Sequence, residues 1–263
     1  MVFIVAHRGA SAYALENTLD AFQKAIDMGA SYIECDIRVS KDNKLVVIHD
    51  ANLRRVFGID ANVNELTAEQ LRQYKIPTLE EVLDLIKKAN KEMAIKQRIE
   101  QQIASAQVQA QAQAQQATRA AQAVQKPKAK KKRKVWLLIE IKEPGCEEKL
   151  AELIKKKGMT KSVVVVSFFD EPLKKIKQLI AVKTGFIFSL LDPDVAFQKA
   201  TDARVNFIIP RYDVISKDLV KRAHKQKLKV VAWTVDDVKI AKELIKLKVD
   251  GIASNKPDLL QHF

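Results

Sequence analysis

The stretch KSVVVVSFFDEPLKKIKQLIAVKTGFIFSL, residues 161–190, contains two short apolar runs separated by a segment with helical spacing. The runs at 162–168 and 183–188 are rich in Val, Ile and Phe, which is typical of strands. Residues 170–181 repeat apolar side chains every three or four positions and predict a helix. This order predicts two parallel strands with the helix packed outside the sheet.

The same alternation extends along most of the chain. Further strands are predicted at 2–8, 31–38, 135–142, 205–210, 229–235 and 250–254, and a short strand at 44–49 extends the second one as a hairpin. Further helices are predicted at 17–28, where Asn17 is the expected cap, at 67–73, from 79 onward, and at 147–157, 193–201, 216–226 and 237–247. Eight strands, seven of them followed by a helix, favour a (β/α)8 TIM barrel. An open doubly wound sheet is the alternative, but no glycine-rich phosphate loop follows the first strand.

The composition indicates a globular protein. The chain has 263 residues, enough for one large α/β domain or two small ones, and 47% of them are hydrophobic, enough for a sizeable core. Its two cysteines, Cys35 and Cys146, cannot form a disulfide framework, so we expect a reducing compartment and a cytoplasmic protein. The apolar run at 2–6 is too short for a secretory signal, and no apolar run in the sequence is long enough to span a bilayer.

Residues 88–134 differ from the rest of the chain. They contain twelve Lys or Arg and two Glu, so they carry +10 of the formal net charge of +14. Ala and Gln dominate the segment, which predicts a projecting helical or partly disordered insert within a single domain of residues 1–263. The basic run from Lys126 to Lys134 is interpreted as a solvated linker. The alternatives are a nuclear-import signal or weak contact with anionic membrane or nucleic acid.

The place of this insert in the strand–helix order predicts where it lies. It follows a helix and precedes a strand, and such connections lie at the N-terminal ends of barrel strands, opposite the active site. Residues 51–77 instead connect a strand to a helix. We therefore expect residues 51–77 to border the site and the insert to lie away from it.

Charged side chains interrupt one predicted strand. In WLLIEIK, residues 136–142, alternation places Glu140 and Lys142 on the face shared by Trp136 and Leu138, so both charges point into the barrel mouth. A buried carboxylate needs a partner, because burying an unpaired charge is costly. A structural Glu–Lys pair explains this strand as well as a catalytic role does.

The second strand repeats this pattern with Glu34 and Asp36 on one face. Two inward carboxylates repel each other unless a cation lies between them, and with Glu140 they supply three oxygen donors, the ligand type that Mg2+ and Ca2+ prefer. Pairing with Arg38 and Lys142 is the structural alternative, but it leaves one carboxylate without a partner.

Two histidines lie at the ends of strands beside these carboxylates. His7 ends the first strand and His49 ends the hairpin strand, and histidine is the natural acid and base near neutral pH. The planar guanidinium group of Arg8 can donate two parallel hydrogen bonds to a phosphate. A divalent ion, two histidines, Arg8 and Lys142 at one barrel mouth suit the hydrolysis of an anionic phosphodiester.

A series of motifs points to a family. They are HRG at 7–9, ENT at 16–18, GASYIECD at 29–36, KDNKLVVIHD at 41–50, IPTLEEVL at 76–83, IEIK at 139–142, VVVSF at 164–168, AWTV at 232–235 and DGIASNKPD at 250–258. In this order they resemble the glycerophosphodiester phosphodiesterases, over nearly the whole chain except residues 88–134. The resemblance implies a TIM barrel that hydrolyses small-molecule glycerophosphodiesters to glycerol phosphate and an alcohol.

The resemblance also implies roles for the residues of the site. Glu34, Asp36 and Glu140 would hold one divalent ion, Mg2+ or Ca2+, and His7 and His49 would be the acid–base pair. The substrate-binding residues would be Arg8 and Lys142 at the phosphate and Trp233 at the glycerol or leaving-group side, with Glu16 either orienting Arg8 or acting as a helix-entry acid.

Three positions depart from the family pattern. Leu53-Arg54-Arg55-Val56 replaces the common Leu-Asp-Arg-Thr, Asp236 stands where Asn is usual, and Asn255 stands where Asp is frequent. They bear on substrate preference, since none removes an expected metal ligand or histidine.

Two alternative functions remain open. One is a lysophospholipase D-like hydrolase, for which Phe57 and Ile59 are the only apolar hints in residues 51–77. The other is a membrane-binding or nucleic-acid-binding scaffold that acts through the basic run.

Overall fold

The computed structural model describes residues 2–117 and 134–259. Eight parallel strands form a closed barrel with helices between them, which confirms the predicted TIM barrel. The barrel strands are β1 (Phe3–Ala6), β2 (Tyr32–Val39), β4 (Trp136–Ile141), β5 (Val163–Ser167), β6 (Lys183–Phe188), β7 (Phe207–Pro210), β8 (Lys229–Ala232) and β9 (Gly251–Ser254). Their neighbour order is β1-β9-β8-β7-β6-β5-β4-β2, and a β1–β2 pairing closes the barrel.

The remaining strand, β3 (Leu45–Val47), pairs antiparallel with the end of β2. It is the predicted hairpin extension, and it brings the residues that follow it to the C-terminal end of the barrel. The helices are α1 (Leu19–Asp27), α2 (Arg54–Phe57), α3 (Ala68–Arg72), α4 (Leu79–Ala117), α5 (Glu147–Lys157), α6 (Asp170–Leu179), α7 (Pro193–Asp202), α8 (Lys217–Lys225) and α9 (Val238–Lys246).

The N-terminus of α1 differs from the expectation. Thr18 is the cap, since its hydroxyl accepts the Ala21 backbone N–H at 3.2 Å. Asn17 precedes the helix with a left-handed φ of 58° and turns its side chain toward β2 instead. The predicted capping role of Asn17 is therefore wrong, because its amide has a partner elsewhere in the barrel.

The barrel interior is filled by every second side chain of the strands. Leu138, Val164, Val166 and Ile209 are among the buried residues of this cluster. On the other side of the sheet, residues such as Leu137 are fully buried toward the helices. Full burial of an aliphatic side chain of this size contributes roughly 1.5–3 kcal/mol. The alternation leaves the C-terminal end of the interior to polar residues.

A second, smaller cluster lies in and next to the connection between β3 and α4. Its buried members are Val46, Ile48, Leu53, Val63, Leu71 and Ile76. Phe57 and Ile59 pack against this cluster. Part of their apolar surface is thus used to fold the connection.

The chain divides into two compact units, Met1–Ile86 with Val135–Phe263, and Lys87–Lys134. In the second unit, Ile95, Ile99 and Ile103 are about half exposed. The predicted basic run lies outside the described residues except for Lys134. No helix in the described ranges combines the length and the apolar composition needed to cross a membrane.

Gly9 gives a test of the packing between the first loop and α1. Its φ is +80°, and a Cβ atom there would lie 2.7 Å from the backbone carbon of Ala21. Gly9→Ala is therefore expected to combine left-handed strain of about 1–2 kcal/mol with an overpacking cost of about 1–3 kcal/mol. Urea unfolding would measure the loss.

Gly29 is the matched control, because it has the same φ of +80° but open space around the position of its Cβ. Gly29→Ala should cost only the strain, about 1–2 kcal/mol. Equal losses for the two variants would contradict the close approach at Gly9.

Candidate active site

Three buried carboxylates lie together at the C-terminal end of the barrel. Glu34 and Asp36 come from β2 and Glu140 comes from the neighbouring strand β4, where it pairs in register with Asp36. One carboxylate oxygen of each lies within 4.8 Å of the others. The exposed fractions of Glu34, Asp36 and Glu140 are only 6%, 1% and 7%. The structure thus brings together the three residues expected to bind a metal.

The electrostatics of the cluster differ from one carboxylate to the next. Burial, with the charges of Asp36 and Glu140, raises the pKa of Glu34 well above its usual value. Burial, with the charge of Asp36, raises the pKa of Glu140 to about 7. Burial opposes ionisation of Asp36 too, but the cations Arg8 and Lys142 outweigh it and hold the pKa of Asp36 below its usual value. The cluster carries more negative charge than its protein environment compensates.

Two oxygens of this cluster have no hydrogen-bond partner among the described residues. They are Glu34 Oε1 and Asp36 Oδ1, and both are buried. A buried acceptor without a partner is expensive, and a cation shared by several carboxylates relieves both that cost and their mutual repulsion. Three hard oxygen donors suit Mg2+ or Ca2+. The residues present therefore fit one divalent cation.

Two cations border the carboxylates. Arg8 donates its backbone N–H to Glu34 Oε2 at 2.8 Å, and its Nε lies 3.2 Å from Asp36 Oδ2. Lys142 donates to Glu140 Oε1 at 2.6 Å and lies 3.5 Å from Asp36 Oδ1. The Glu140–Lys142 pair anticipated as the structural alternative is present, but it leaves the oxygens of Glu34 and Asp36 described above without a hydrogen-bond partner.

His7 follows β1 directly at the barrel mouth. Its Nδ1 lies 2.9 Å from Asn255 Oδ1, and its backbone N–H bonds to the Ser254 carbonyl. Burial, together with the nearby Arg8 charge, lowers the pKa of His7 below its ordinary value. The unprotonated imidazole is therefore the favoured form at neutral pH.

His49 follows β3 and pairs with its neighbour in the chain. Its Nδ1 lies 2.6 Å from Asp50 Oδ1, and its backbone carbonyl accepts a hydrogen bond from Arg38 Nε at 2.8 Å. Burial lowers the pKa of His49, although the charge of Asp36 and the bond to Asp50 oppose the shift. Because a carboxylate accepts from Nδ1, the lone pair of the neutral ring lies on Nε2.

An arginine joins the loops that carry the two histidines. Arg55 donates to Asp50, the partner of His49, and to both oxygens of Glu16. Glu16 also accepts from Arg8 at 3.0 Å. This hydrogen bond is what the role of orienting Arg8 requires, whereas the other role considered for Glu16, that of a helix-entry acid, does not involve Arg8. The contacts of Asp50 and Arg55 also place the connection 51–77 beside the expected site residues.

Trp233 directly follows β8, and Phe168 directly follows β5. Their rings pack edge to face with centroids 5.5 Å apart, and the Trp233 indole N–H donates to the Ile209 carbonyl at 2.9 Å. The ammonium group of Lys142 lies 5.7 Å from the centroid of the Phe168 ring. The aromatic pair thus forms a wall next to Lys142.

Sequence reasoning missed several residues that hold this arrangement. Asn17 donates to Asp36 Oδ2 at 2.9 Å and accepts from the Asp36 backbone, so it orients the carboxylate. Asp50, Arg55 and Phe168 also contact expected site residues. Asn17, Asp50 and Phe168 stand in the quoted motifs and Arg55 in a noted departure, but nothing in the sequence identifies their partners. Asn17, for example, is of a residue type that is common at helix N-caps, so the sequence suggests that role instead.

Known proteins that are similar to this chain point to one family. The family model described as the glycerophosphoryl diester phosphodiesterase family matches residues 7–259. A glycerophosphodiester phosphodiesterase from Caldanaerobacter subterraneus is 28% identical over 273 residues, covering 98% of this chain and 95% of the relative.

Two solved structures share the architecture. A glycerophosphodiester phosphodiesterase from Thermotoga maritima superposes with a TM-score of 0.73 at 25% identity, covering 99% of this chain and 97% of the other. An Oleispira antarctica phosphodiesterase, solved in complex with its product sn-glycerol-3-phosphate, has a TM-score of 0.74 at 20% identity, covering 98% and 95% of the two chains. The chain therefore belongs to the glycerophosphoryl diester phosphodiesterase family and is a phosphodiester hydrolase.

Proposed function

We propose that the protein hydrolyses glycerophosphodiesters to glycerol phosphate and an alcohol in a reaction that depends on one divalent ion, Mg2+ or Ca2+. The observation that carries this proposal is the cluster of Glu34, Asp36 and Glu140, with two buried oxygens that lack hydrogen-bond partners among the described residues. Membership of the family supports the substrate class, as does the product bound to the Oleispira relative.

Glu34, Asp36 and Glu140 are the residues that would hold the ion. When bound, a divalent ion supplies Lewis-acid polarisation of a phosphoryl oxygen. Lys142 and Arg8 already contact the carboxylates, and each retains donors that can reach a phosphate. We assign them to binding the phosphate and to stabilising the negative charge that grows on its oxygens in the transition state.

The two histidines are assigned to proton transfer. In each ring Nδ1 bonds to a side-chain oxygen, Asn255 Oδ1 for His7 and Asp50 Oδ1 for His49. One Nε2 accepts a proton from the attacking oxygen, which belongs to water or to the substrate's own 2-hydroxyl group, as that oxygen bonds to phosphorus. The other delivers a proton to the leaving alkoxide as its bond to phosphorus breaks, so the alcohol departs neutral. If the 2-hydroxyl group attacks, water then opens the cyclic phosphate in a second step.

Trp233 and Phe168 are assigned to the organic part of the substrate. Their edge-to-face packing gives a rigid apolar wall beside Lys142, and such a wall suits the carbon skeleton of the glycerol or of the leaving alcohol. The packing of Phe57 and Ile59 into their own cluster gives no extra support for a lysophospholipid substrate.

A direct assay tests the proposal. Glycerophosphoethanolamine and lysophosphatidylcholine would be offered separately with Mg2+, with Ca2+, or with EDTA, and glycerol phosphate and lysophosphatidate would be measured. We expect metal-dependent release of glycerol phosphate, with lysophosphatidylcholine the poorer substrate. Turnover that persists in EDTA would contradict metal dependence, and preferential release of lysophosphatidate would reverse the substrate assignment.

The insert is expected to be dispensable for chemistry. Every residue assigned to catalysis or binding belongs to the unit Met1–Ile86 with Val135–Phe263. Deleting residues 91–132 should therefore leave kcat/KM for glycerophosphoethanolamine within about threefold of the full chain. Circular dichroism would check the fold. A folded deletion variant without turnover would contradict the expectation that the insert lies away from the site.

A further inference from the structure

Asp236 and Asn255 form a chain of hydrogen bonds that ends at His7. Asp236 Oδ2 accepts the Asn255 side-chain amide N–H at 2.5 Å, and Asp236 Oδ1 accepts the Asn255 backbone N–H and the Ser254 hydroxyl, each at 2.8 Å. The carbonyl oxygen of the same Asn255 side chain lies 2.9 Å from His7 Nδ1. The carboxylate is thus separated from the imidazole by one amide.

Asp236 decides which way this amide faces. An ionised carboxylate has only acceptors, so the amide must turn its NH2 group toward Asp236 and its oxygen toward His7. On its other side, the Asn255 amide meets the Ser11 hydroxyl, which would tolerate a reversed amide. That hydroxyl lies 2.7 Å from the His7 carbonyl and can donate to it while accepting from an NH2 group. The orientation is therefore imposed from the Asp236 side alone.

The orientation of the amide in turn decides the state of His7. An amide oxygen accepts only from a protonated nitrogen, so Nδ1 carries the proton and Nε2 keeps the lone pair in the neutral ring. A reversed amide would favour the other tautomer, with the proton on Nε2. That tautomer has no lone pair at the nitrogen used for proton transfer.

The chain of hydrogen bonds also explains two departures of the sequence. Asp236 stands where the family pattern has Asn, and Asn255 stands where it often has Asp. The hydrogen bond between the two side chains pairs a donor amide with an acceptor carboxylate. Exchanging both residues together preserves this pairing. Exchanging one alone leaves either two carboxylates or two amides, and two amides no longer fix which way residue 255 faces.

We propose that Asp236 and Asn255 are positioning residues that hold His7 in the tautomer protonated on Nδ1, so that Nε2 is available for proton transfer. The claim that this matters for turnover rests on the acid–base role of His7 in the proposed function. The claim about the tautomer does not depend on that role, so the two can fail separately.

The first test is Asp236→Asn, read by 15N NMR of the His7 imidazole and by kcat with glycerophosphoethanolamine. The new amide presents its oxygen to the Asn255 backbone N–H and the Ser254 hydroxyl, and its NH2 group then faces the NH2 group of Asn255. The side-chain amide of Asn255 must therefore flip, so that its oxygen faces position 236 and its NH2 group faces His7. We expect the His7 proton to move to Nε2 and kcat to fall about 10–100-fold, with little change in KM.

The second test is the reciprocal exchange, Asp236→Asn combined with Asn255→Asp. The amide introduced at position 236 would donate to the carboxylate introduced at position 255, which accepts from His7 Nδ1. We expect the Nδ1 proton to return and kcat to recover to within about tenfold of the wild type. Asn255→Asp alone places two carboxylates face to face and should also lose turnover. The exchange keeps the shape of the site, so it remains informative if a single variant is unstable.

His224 provides a matched control outside the site. Its Nε2 lies 2.8 Å from Asp250 Oδ2 on the exposed surface, and Asp250→Asn should leave turnover and the His7 spectrum unchanged. An unchanged His7 tautomer in folded Asp236→Asn would overturn the proposal. A switched tautomer with unchanged turnover would keep the hydrogen-bond argument and overturn the acid–base role of His7.

Discussion

His49→Ala is expected to lower kcat for glycerophosphoethanolamine by about a thousandfold, because a positioned acid or base contributes on the order of 100–10,000-fold. His49 lies at the barrel mouth with Nδ1 held by Asp50, so its loss removes one of the two groups that we assign to proton transfer without removing a carboxylate of the cluster. KM should change little, since the phosphate is assigned to Arg8 and Lys142. Steady-state kinetics at saturating metal would measure both parameters.

His224→Ala is the control, because His224 is an exposed residue of α8 that also pairs with an aspartate. It should retain full turnover. A His49→Ala variant that is folded, binds metal and keeps wild-type kcat would contradict the acid–base assignment.

The same variants can separate the acid from the base. A substrate with a nitrophenol leaving group needs no proton on departure, so loss of the general acid should matter far less for it than for glycerophosphoethanolamine. His7→Ala and His49→Ala should therefore respond differently to this substrate. Equal losses for both substrates in both variants would show that neither histidine protonates the leaving group.

Glu34→Gln is expected to weaken Mg2+ or Ca2+ binding by on the order of 100-fold, since ligand charge and number set the affinity of such sites. Turnover at a fixed, limiting metal concentration should fall in parallel. Isothermal titration calorimetry would measure the affinity independently of activity. Unchanged affinity would remove Glu34 from the metal site.

The stability of the metal-free protein should change in the opposite direction. Burial and the neighbouring carboxylates raise the pKa of Glu34, so its charged form destabilises the fold at neutral pH. Glutamine has no ionisable group and so avoids this cost, and its NH2 group can donate to Asp36 or Glu140. We expect Glu34→Gln to have a higher Tm than the wild type in EDTA and a lower one in excess metal.

Glu147→Gln is a matched control at a buried glutamate outside the cluster. Glu147 is 2% exposed and accepts the Gly145 backbone N–H at 3.0 Å, so its substitution should lower Tm with and without metal. Metal affinity should not change. This pattern separates the loss of a ligand from the general effect of altering a buried carboxylate.

Metal affinity should also depend on pH in a defined direction. Glu140 has a pKa raised to about 7, above its ordinary 4.5, so its contribution to stability without metal is present below pH 4.5 and lost as pH rises through about 7. Protons and the ion compete for the same oxygens. Affinity should therefore fall as pH drops below about 7, and binding near that pH should release protons into the buffer.

Local patterns in the sequence are sufficient to predict the barrel and to identify which side chains of β2 and β4 point into it. Side chains alternate strictly along a strand, so a charge at an inward position can be recognised without knowing the neighbouring strand. Glu34, Asp36 and Glu140 were found in this way, and the structure brings them together. The wrong inference, the capping role of Asn17, depended on a partner that the local sequence does not identify.

Only the tertiary structure decided which groups meet across the barrel mouth. His7 and its partner Asn255 are 248 residues apart, and they are neighbours only because β9 closes the barrel against β1. The sequence by itself determined the order of strands, the side of the sheet that each residue occupies and the family, because these follow from short-range periodicity and ordered motifs. The hydrogen bonds that fix the His7 tautomer and join Glu16 to Asp50 through Arg55 depend on closure of the barrel, and no local pattern encodes that contact.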